Sequence, residues 1–223
     1  MLSLPQADDG CAGEGKLQVY TGLMPPGENI LFQKLISAAG SAEKRRTAMR
    51  LRPYRKNDAK AVRKWIEDER THVLWCGNLL PFPFTEKDFN KYLEETEERR
   101  GNSSFTAVRD DGTPAGFLRM GINPALNSGF LGFVVVDAGE RGKGCGKEML
   151  RLAVKYAFEI ACVQSLALNV FDCNKAAMGL YRNIGFEETA LTPECFVFHD
   201  EKWGRCRMEI LSLIHISEPT RHS

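Results

Sequence analysis

FLGFVVVDAGERGKGCGKEML, residues 130–150, passes from an unbroken apolar run into a stretch holding four glycines, one arginine and two lysines, and then into amphipathic spacing. The β-branched run predicts a strand buried on both faces. The residues after it predict a glycine-rich turn leading into a helix N-terminus. That arrangement binds anions: backbone N–H groups point outward and the helix dipole adds about half a positive charge. Glycine lets the backbone approach oxygen atoms closely, and Arg141, Lys143 and Lys147 add charge. Two nucleotide-binding patterns fail here. A P-loop needs Gly-Lys followed by Ser or Thr, but Gly146-Lys147 is followed by Glu148, and position 141 is Arg. The dinucleotide pattern G-x-G-x-x-G fails because its third glycine would fall on Lys147 or Met149.

Upstream, MRLRPY from Met49 alternates like a strand. NDAKAVRKWIEDE has an Asn/Asp cap and places Ala61, Val62, Trp65 and Ile66 at helical spacing. LPFPF is a proline-broken loop. TEKDFNKYLEETEERR carries a Thr85 cap and an apolar face of Phe89, Tyr92 and Leu93, ending at Gly101. SSFTAVRDDGTPAGFLRMGI reads as strand, Asp-Gly turn and strand. Downstream, residues 146–161 predict a helix with Met149, Leu150, Ala153, Tyr156, Ala157 and Ile160 facing inward. SLALNVF predicts a strand, NKAAMGLYRNIGF a short helix closed by Gly185, and CFVFHD with WGRCRMEI an antiparallel pair. The order implies an α/β fold with a mixed sheet and a parallel crossover from FVVV to LALNV.

The 223 residues suffice for one good-sized domain. A formal net charge of +1 gives no general attraction to nucleic acid or an anionic membrane, so anion binding must be local. The seven cysteines, Cys11, Cys76, Cys145, Cys162, Cys173, Cys195 and Cys206, form no CxxC pair, and no Cys/His cluster has zinc spacing. The odd count, with no signal-peptide pattern, suits a reducing cytoplasm. No apolar run approaches the ~20 residues a membrane span needs.

Both ends differ from the middle. Residues 1–48 are rich in turn formers, and Arg45-Arg46 can be encoded AGGAGG, a ribosome-binding sequence two codons before Met49. The expectation is that translation belongs from Met49, with a loosely ordered extension as the alternative. LSLIHISEPTR, residues 211–221, is the translation of the end of a transposase-based sequencing adapter. Residues 211–223 are expected to be read-through, leaving 49–210 as the domain.

Arg141-Gly142-Lys143-Gly144-Cys145-Gly146 fits R-x-x-G-x-G, and residues 168–188, LNVFDCNKAAMGLYRNIGFEE, fit N-x-x-A-x-x-L-Y-x-x-x-G-F. With both motifs in this order, residues 130–188 resemble the GNAT N-acetyltransferase superfamily, and loosely its ribosomal-protein alanine acetyltransferase-like branch. The resemblance implies a GNAT-like acyl-CoA N-acyltransferase fold with splayed central strands. It further implies acetyl transfer from acetyl-CoA directly to a primary amine, a protein N-terminus or a small amine. The loop Arg141, Gly142, Lys143, Gly144, Cys145 and Gly146 would cradle the coenzyme A pyrophosphate. Val134, Val135 and Val136 would pair with the pantetheine arm, Asn174 would contact the cofactor, and Tyr181 would protonate the leaving thiolate. No metal, nucleic acid or membrane is implied; the assembly would be a monomer or homodimer.

One departure stands out. Asn169 occupies the position where many members carry a glutamate base, which leaves Glu67, Asp68 or Glu69 through water, or no strong base at all. That departure keeps a non-catalytic acyl-CoA-binding module as the rival reading. Several residues also have plain structural readings: Tyr181 as a core aromatic, Asn174 as an N-cap, Cys145 as packing. Trp75, near the proline loop, either packs or lines the acceptor site, and His72 and His199 read as structural or surface residues.

Overall fold

The computed structural model describes residues 49–100 and 102–212; the expectations for residues 1–48 and for the tail beyond Ser212 lie outside them. Strand β1 (Arg50–Pro53) leads through a 3-10 turn (Lys56–Asp58) into helix α1 (Ala59–Trp65). The single helix expected over NDAKAVRKWIEDE is in fact broken. Asp68 starts a second helix, α2 (Glu69–Cys76), by accepting the Thr71 N–H at 2.7 Å and the Thr71 hydroxyl at 2.8 Å. A carboxylate at an N-cap satisfies an otherwise orphaned donor, so the acidic run that looked like a helix end is a helix start. Helix α3 (Glu86–Arg100) begins as expected at Thr85, whose hydroxyl accepts the Asp88 N–H while Asp88 accepts the Thr85 N–H.

Strands β2 (Asn102–Val108) and β3 (Pro114–Asn123) meet at the Asp-Gly turn, where Gly112 takes φ +84°, a region open to glycine. Next come β4 (Ser128–Val136) and helix α4 (Cys145–Lys155), which ends in a π-turn over Tyr156–Ile160. In that turn the Ala161 N–H reaches back five residues to the Tyr156 carbonyl at 2.9 Å. The wider turn rotates the apolar stripe, so Ile160, expected inward, is 68% exposed. Strand β5 (Ser165–Phe171), helix α5 (Lys175–Ile184), and strands β6 (Glu187–Phe198) and β7 (Glu201–Leu211) complete the order. The closing pair is longer than CFVFHD and WGRCRMEI suggested, and β7 inserts between β5 and β6.

Among the described residues seven strands form one mixed sheet, β1-β2-β3-β4-β5-β7-β6, in which only β4 and β5 are parallel. Each face carries its own core. Under α4 and α5 lie Leu118, Met120, Leu131, Met149, Leu150, Leu168 and Met208. Under α1–α3 lie Val62, Trp65, Trp75, Phe84, Phe89, Leu93 and Phe117. Beneath the second core, the Asp58 carboxylate is buried against Arg52 (2.7 and 2.8 Å), the Arg55 N–H (2.9 Å) and the Thr106 hydroxyl (2.7 Å). Burial pushes its pKa upward, but these partners outweigh it and hold the carboxyl below its usual range.

The sheet opens in its middle. β4 and β5 pair from Ser128↔Ser165 to Leu131↔Leu168, and their recorded pairing ends there although both strands continue. The cause lies on the other side of β4. Arg119 faces Gly132 and Phe117 faces Val135, so Phe133 and Val134 together oppose Leu118. This two-against-one bulge bends β4 away from β5. Phe133 sits at φ +54°, a strained setting for a bulky side chain. The expectation of a strand buried on both faces is corrected accordingly: Gly132, Phe133 and Val134 are only partly buried and Phe130 is exposed.

Candidate active site

The loop after β4 is organised by its acidic residues. The Asp137 N–H donates to the Ala115 carbonyl at 2.9 Å, and the Asp137 carboxylate accepts the Gly139 N–H at 3.0 Å. Arg109 reaches Glu140 at 2.9 Å and Asp137 at 3.6 Å, and Lys143 lies 3.6 Å from Glu140. Gly142 and Gly144 adopt φ +75° and +87°, where a side chain would be strained. Gly146 is needed for another reason: a Cβ there would come within 3.1 Å of Leu180 on α5. Glu148 is the first helix residue whose N–H finds an acceptor, the Gly144 carbonyl at 3.0 Å. The N–H groups of Gly144, Cys145, Gly146 and Lys147 have no acceptor among the described residues. Gly144, the N-cap, has no side chain to satisfy them, so the helix presents open donors.

Not every predicted loop residue presents its side chain. Arg141 is turned back, donating to the Trp65 carbonyl at 3.3 Å and tying the loop to the end of α1. Cys145 is buried, and burial, followed by the Glu140 charge, pushes its thiol up to about 11. Its side chain therefore packs, and only its backbone is available to an anion. Lys147 is half-buried and has no ion-pair partner among the described residues.

Where β4 and β5 part, a slot passes between them. Its two walls are Gly132–Val134 and Leu168–Val170. Asn174, Ala177 and Tyr181 of α5 border it from one face of the sheet, and Leu74 and Trp75 of α2 from the other. Beyond Leu131, the edge of β4 facing β5 has no strand paired to it among the described residues. Asn174 caps α5, its Oδ1 accepting the Ala177 N–H at 3.2 Å, while its Nδ2 has no acceptor among the described residues. Tyr181 is 7% exposed, and its hydroxyl has no hydrogen-bond partner among the described residues. Burial pushes its pKa upward, so the phenol stays protonated at neutral pH. Asn169 lies on β5 just past the last β4 pairing, facing the slot with a side chain that cannot take a proton.

The acidic trio considered as a substitute base is otherwise engaged. Asp68 caps α2, and the Thr71 N–H and hydroxyl, with Arg141 nearby, lower its pKa. Glu69 pairs with His199 at 3.3 Å. Neither residue, nor Glu67, lines the slot. His72 is buried among Trp75, Phe82 and Phe84, and burial lowers its pKa. Leu74 was missed in the sequence because α2 itself was; Trp75 was noticed only for its nearness to the proline loop. Arg119, also missed, places its guanidinium 5.5 Å from the rings of both Tyr92 and Phe133 behind the bulge.

Comparison with known proteins agrees with this geometry. Residues 60–186 match the model of the acetyltransferase (GNAT) family. The chain is 26% identical over 121 residues to an SPbeta prophage-derived uncharacterized N-acetyltransferase, YokL, of Bacillus subtilis (strain 168), covering 54% of this chain and 66% of that protein. It is 25% identical over 142 residues to spermidine N(1)-acetyltransferase of Escherichia coli (strain K12), covering 63% of this chain and 69% of that protein. The matches thus span about two thirds of these relatives' lengths. The crystal structure of spermidine N-acetyltransferase from Vibrio cholerae in complex with CoA and spermine superposes with a TM-score of 0.65 at 18% identity, over 74% of this chain and 96% of that one. At that identity the superposition shows the fold. With the family model covering more than half of the chain, and with the open helix N-terminus beside splayed parallel strands, the chain belongs to the acetyltransferase (GNAT) family of N-acetyltransferases.

Proposed function

We propose that this chain transfers an acetyl group from acetyl-CoA directly to a primary amine, with both reactants bound together. The observation that carries the reading is the continuity of two features: a helix N-terminus with open donors, and a slot between splayed strands bordered by a protonated Tyr181. In this reading the N–H groups of Gly144, Cys145 and Gly146 hold the pyrophosphate, with Gly142 shaping the loop and Lys143 and Lys147 adding charge. The free edge of Val134–Val136 hydrogen-bonds the pantetheine arm as an added half-strand, and Asn174 Nδ2 steadies it. Arg141 holds the loop in place through Trp65 rather than gripping phosphate.

The thioester supplies the activated acetyl group. The neutral amine's lone pair forms the new bond to the carbonyl carbon, and the carbon–sulfur bond breaks. Backbone N–H groups along the β4 bulge stabilise the oxygen as it gains charge. The Tyr181 hydroxyl gives its proton to the departing thiolate and regains one from solvent, and the proton shed by the amine passes to water. Holding both reactants in one slot supplies much of the acceleration. Asn169 cannot serve as base, so the enzyme works on the unprotonated fraction of its acceptor. The spermidine-acetylating relatives make a polyamine one acceptor to test. The free thiols of the described cysteines suit a cytoplasmic setting.

Thermal unfolding of the full chain with and without acetyl-CoA tests the donor site. At one hundred times its dissociation constant the ligand adds about 2.7 kcal/mol, a rise of several degrees. Gly144→Glu, which places a carboxylate and a strained backbone where the pyrophosphate would lie, should abolish the rise. No rise in a folded wild-type chain would defeat the proposal. A rise without amine-dependent thiol release would favour the non-catalytic acyl-CoA-binding module that Asn169 keeps in view.

A further inference from the structure

The slot crosses the sheet, and its two mouths differ. Tyr181 belongs to the core under α4 and α5, whereas Trp75 and Phe133 belong to the core under α1–α3. If Tyr181 serves the leaving sulfur, the amine approaches from the Trp75 side. Among the described residues lining the slot, none is acidic. Three acidic groups of this region are committed elsewhere: Asp68 to the cap of α2, Glu69 to His199, and Glu201 to Arg70 and to the Trp203 indole N–H. A polyamine carries further ammonium groups a few carbons from the reacting nitrogen, and burying them needs carboxylate partners.

Trp75, which lines the slot on this side, carries a neutral donor. Trp75 is 9% exposed, and its indole N–H is buried with no hydrogen-bond partner among the described residues. The ring packs against Phe133 at 5.2 Å, Phe89 at 5.5 Å, Phe84 at 5.8 Å and His72 at 6.2 Å between ring centroids. A buried donor without a partner is a rare feature that asks for an explanation, and an indole N–H can only donate. Its natural counterpart is a carbonyl or carboxylate oxygen. The ammonium groups of a polyamine offer no such atom.

Resting on the acetyl-transfer reading, we infer that the acceptor is an α-amino acyl unit, an amine whose neighbouring carbon bears a carbonyl or carboxylate, and that the Trp75 N–H bonds that oxygen. The unit belongs either to a free amino acid or to a peptide amino terminus. A site built to hydrogen-bond a substrate discriminates strongly against analogues that lack the partner.

The test is steady-state thiol release by the full chain with acetyl-CoA, compared at equal free-amine concentration. The acceptors are alanine, alaninamide, an alanine-initiated tripeptide, sec-butylamine and spermidine. Alaninamide should exceed its carbonyl-free analogue sec-butylamine, and spermidine, by roughly tenfold or more in kcat/KM, the worth of one well-placed hydrogen bond. Preference for alanine over the tripeptide would assign a free amino acid; the reverse would assign an amino terminus. In Trp75→Phe the alaninamide to sec-butylamine ratio should collapse toward one. Higher kcat/KM for spermidine than for alaninamide would overturn the inference while leaving acetyl transfer intact. A Trp75→Phe loss equal across all acceptors would overturn it by reducing Trp75 to packing. No turnover of any amine, despite acetyl-CoA-dependent stabilisation, would overturn both readings. The wild-type comparison decides even if Trp75→Phe does not fold.

Discussion

On the α4–α5 face of the sheet, neighbours in sequence make the site. Strand, glycine loop, helix, strand and capped helix succeed one another without interruption from Ser128 to Gly185, and each turn is shaped by residues beside it. On the α1–α3 face, residues far apart in the chain make the site. Trp75 from α2 meets Phe133 from β4, Phe89 from α3 meets Phe117 from β3, and Asp58 meets Thr106 across 48 residues. In the acetyl-transfer reading, one face would hold the cofactor through local rules, and the other would wall the acceptor through packing. A local device recurs with recognisable spacing across a family, whereas a packed wall is free to change its side chains as long as volume is conserved.

The largest expected effect probes whether the two faces are separable. Phe89 is fully buried among Tyr54, Trp75, Phe84 and Phe117. Phe89→Ala should lower the unfolding free energy by about 3–5 kcal/mol in urea titration. Acetyl-CoA should still stabilise the surviving folded protein; if it does not, the faces are one energetic unit and the contrast fails. Next, Tyr181→Phe should lower kcat by about 100-fold while keeping the acetyl-CoA-dependent rise in melting temperature. Because burial raises the pKa of this phenol, wild-type turnover should not fall as pH passes 10, where an ordinary tyrosine ionises. A fall there would mean that the hydroxyl is more open than the packing implies.

Asp58→Asn should cost about 2 kcal/mol, since Arg52 retains some solvent contact once its partner is neutral. The folded pKa of Asp58 is below the unfolded value, so its contribution is complete above about pH 4 and is lost as pH falls through the folded pKa. Stability measured from pH 6 down to pH 3 should therefore fall more steeply in the wild type than in Asp58→Asn. The smallest effect is expected at the loop itself. Cys145 is buried with its thiol pushed up to about 11, whereas Cys162 and Cys195 are exposed. Iodoacetamide at pH 8 should label the exposed pair first, read by mass spectrometry, with acetyl-CoA binding unchanged. Early labelling at Cys145 would mean that the helix N-terminus activates it after all.

Much of the cofactor half was legible because its instructions are short. Gly142 and Gly144 carry positive φ, Asn174 caps α5, Gly185 closes it at φ +115°, and Met149, Leu150 and Ala153 hold helical period. The places where such reading fell short are non-local. Helix α2 was hidden because Asp68 could cap a helix or end one, and only its bond to Thr71 decides. Ile160 was misplaced because hydrophobic period cannot reveal a π-turn. The insertion of β7 between β5 and β6 depends on pairings such as Leu168↔Met208 across the chain.

The sequence by itself determined the strand–loop–helix arrangement, the two motifs around Arg141–Gly146 and Asn174–Phe186, and with them the family and the chemistry to expect. Backbone conformation and helix capping depend on residues a few positions apart, so they can be read in line. Only the tertiary structure decided that β4 bulges at Phe133, that Arg141 turns back to Trp65, that Cys145 packs inward, and that Trp75, its N–H without a partner among the described residues, lines the slot. Those outcomes come from how three helices and a bent strand share one aromatic core, and close packing is settled among all of those residues at once.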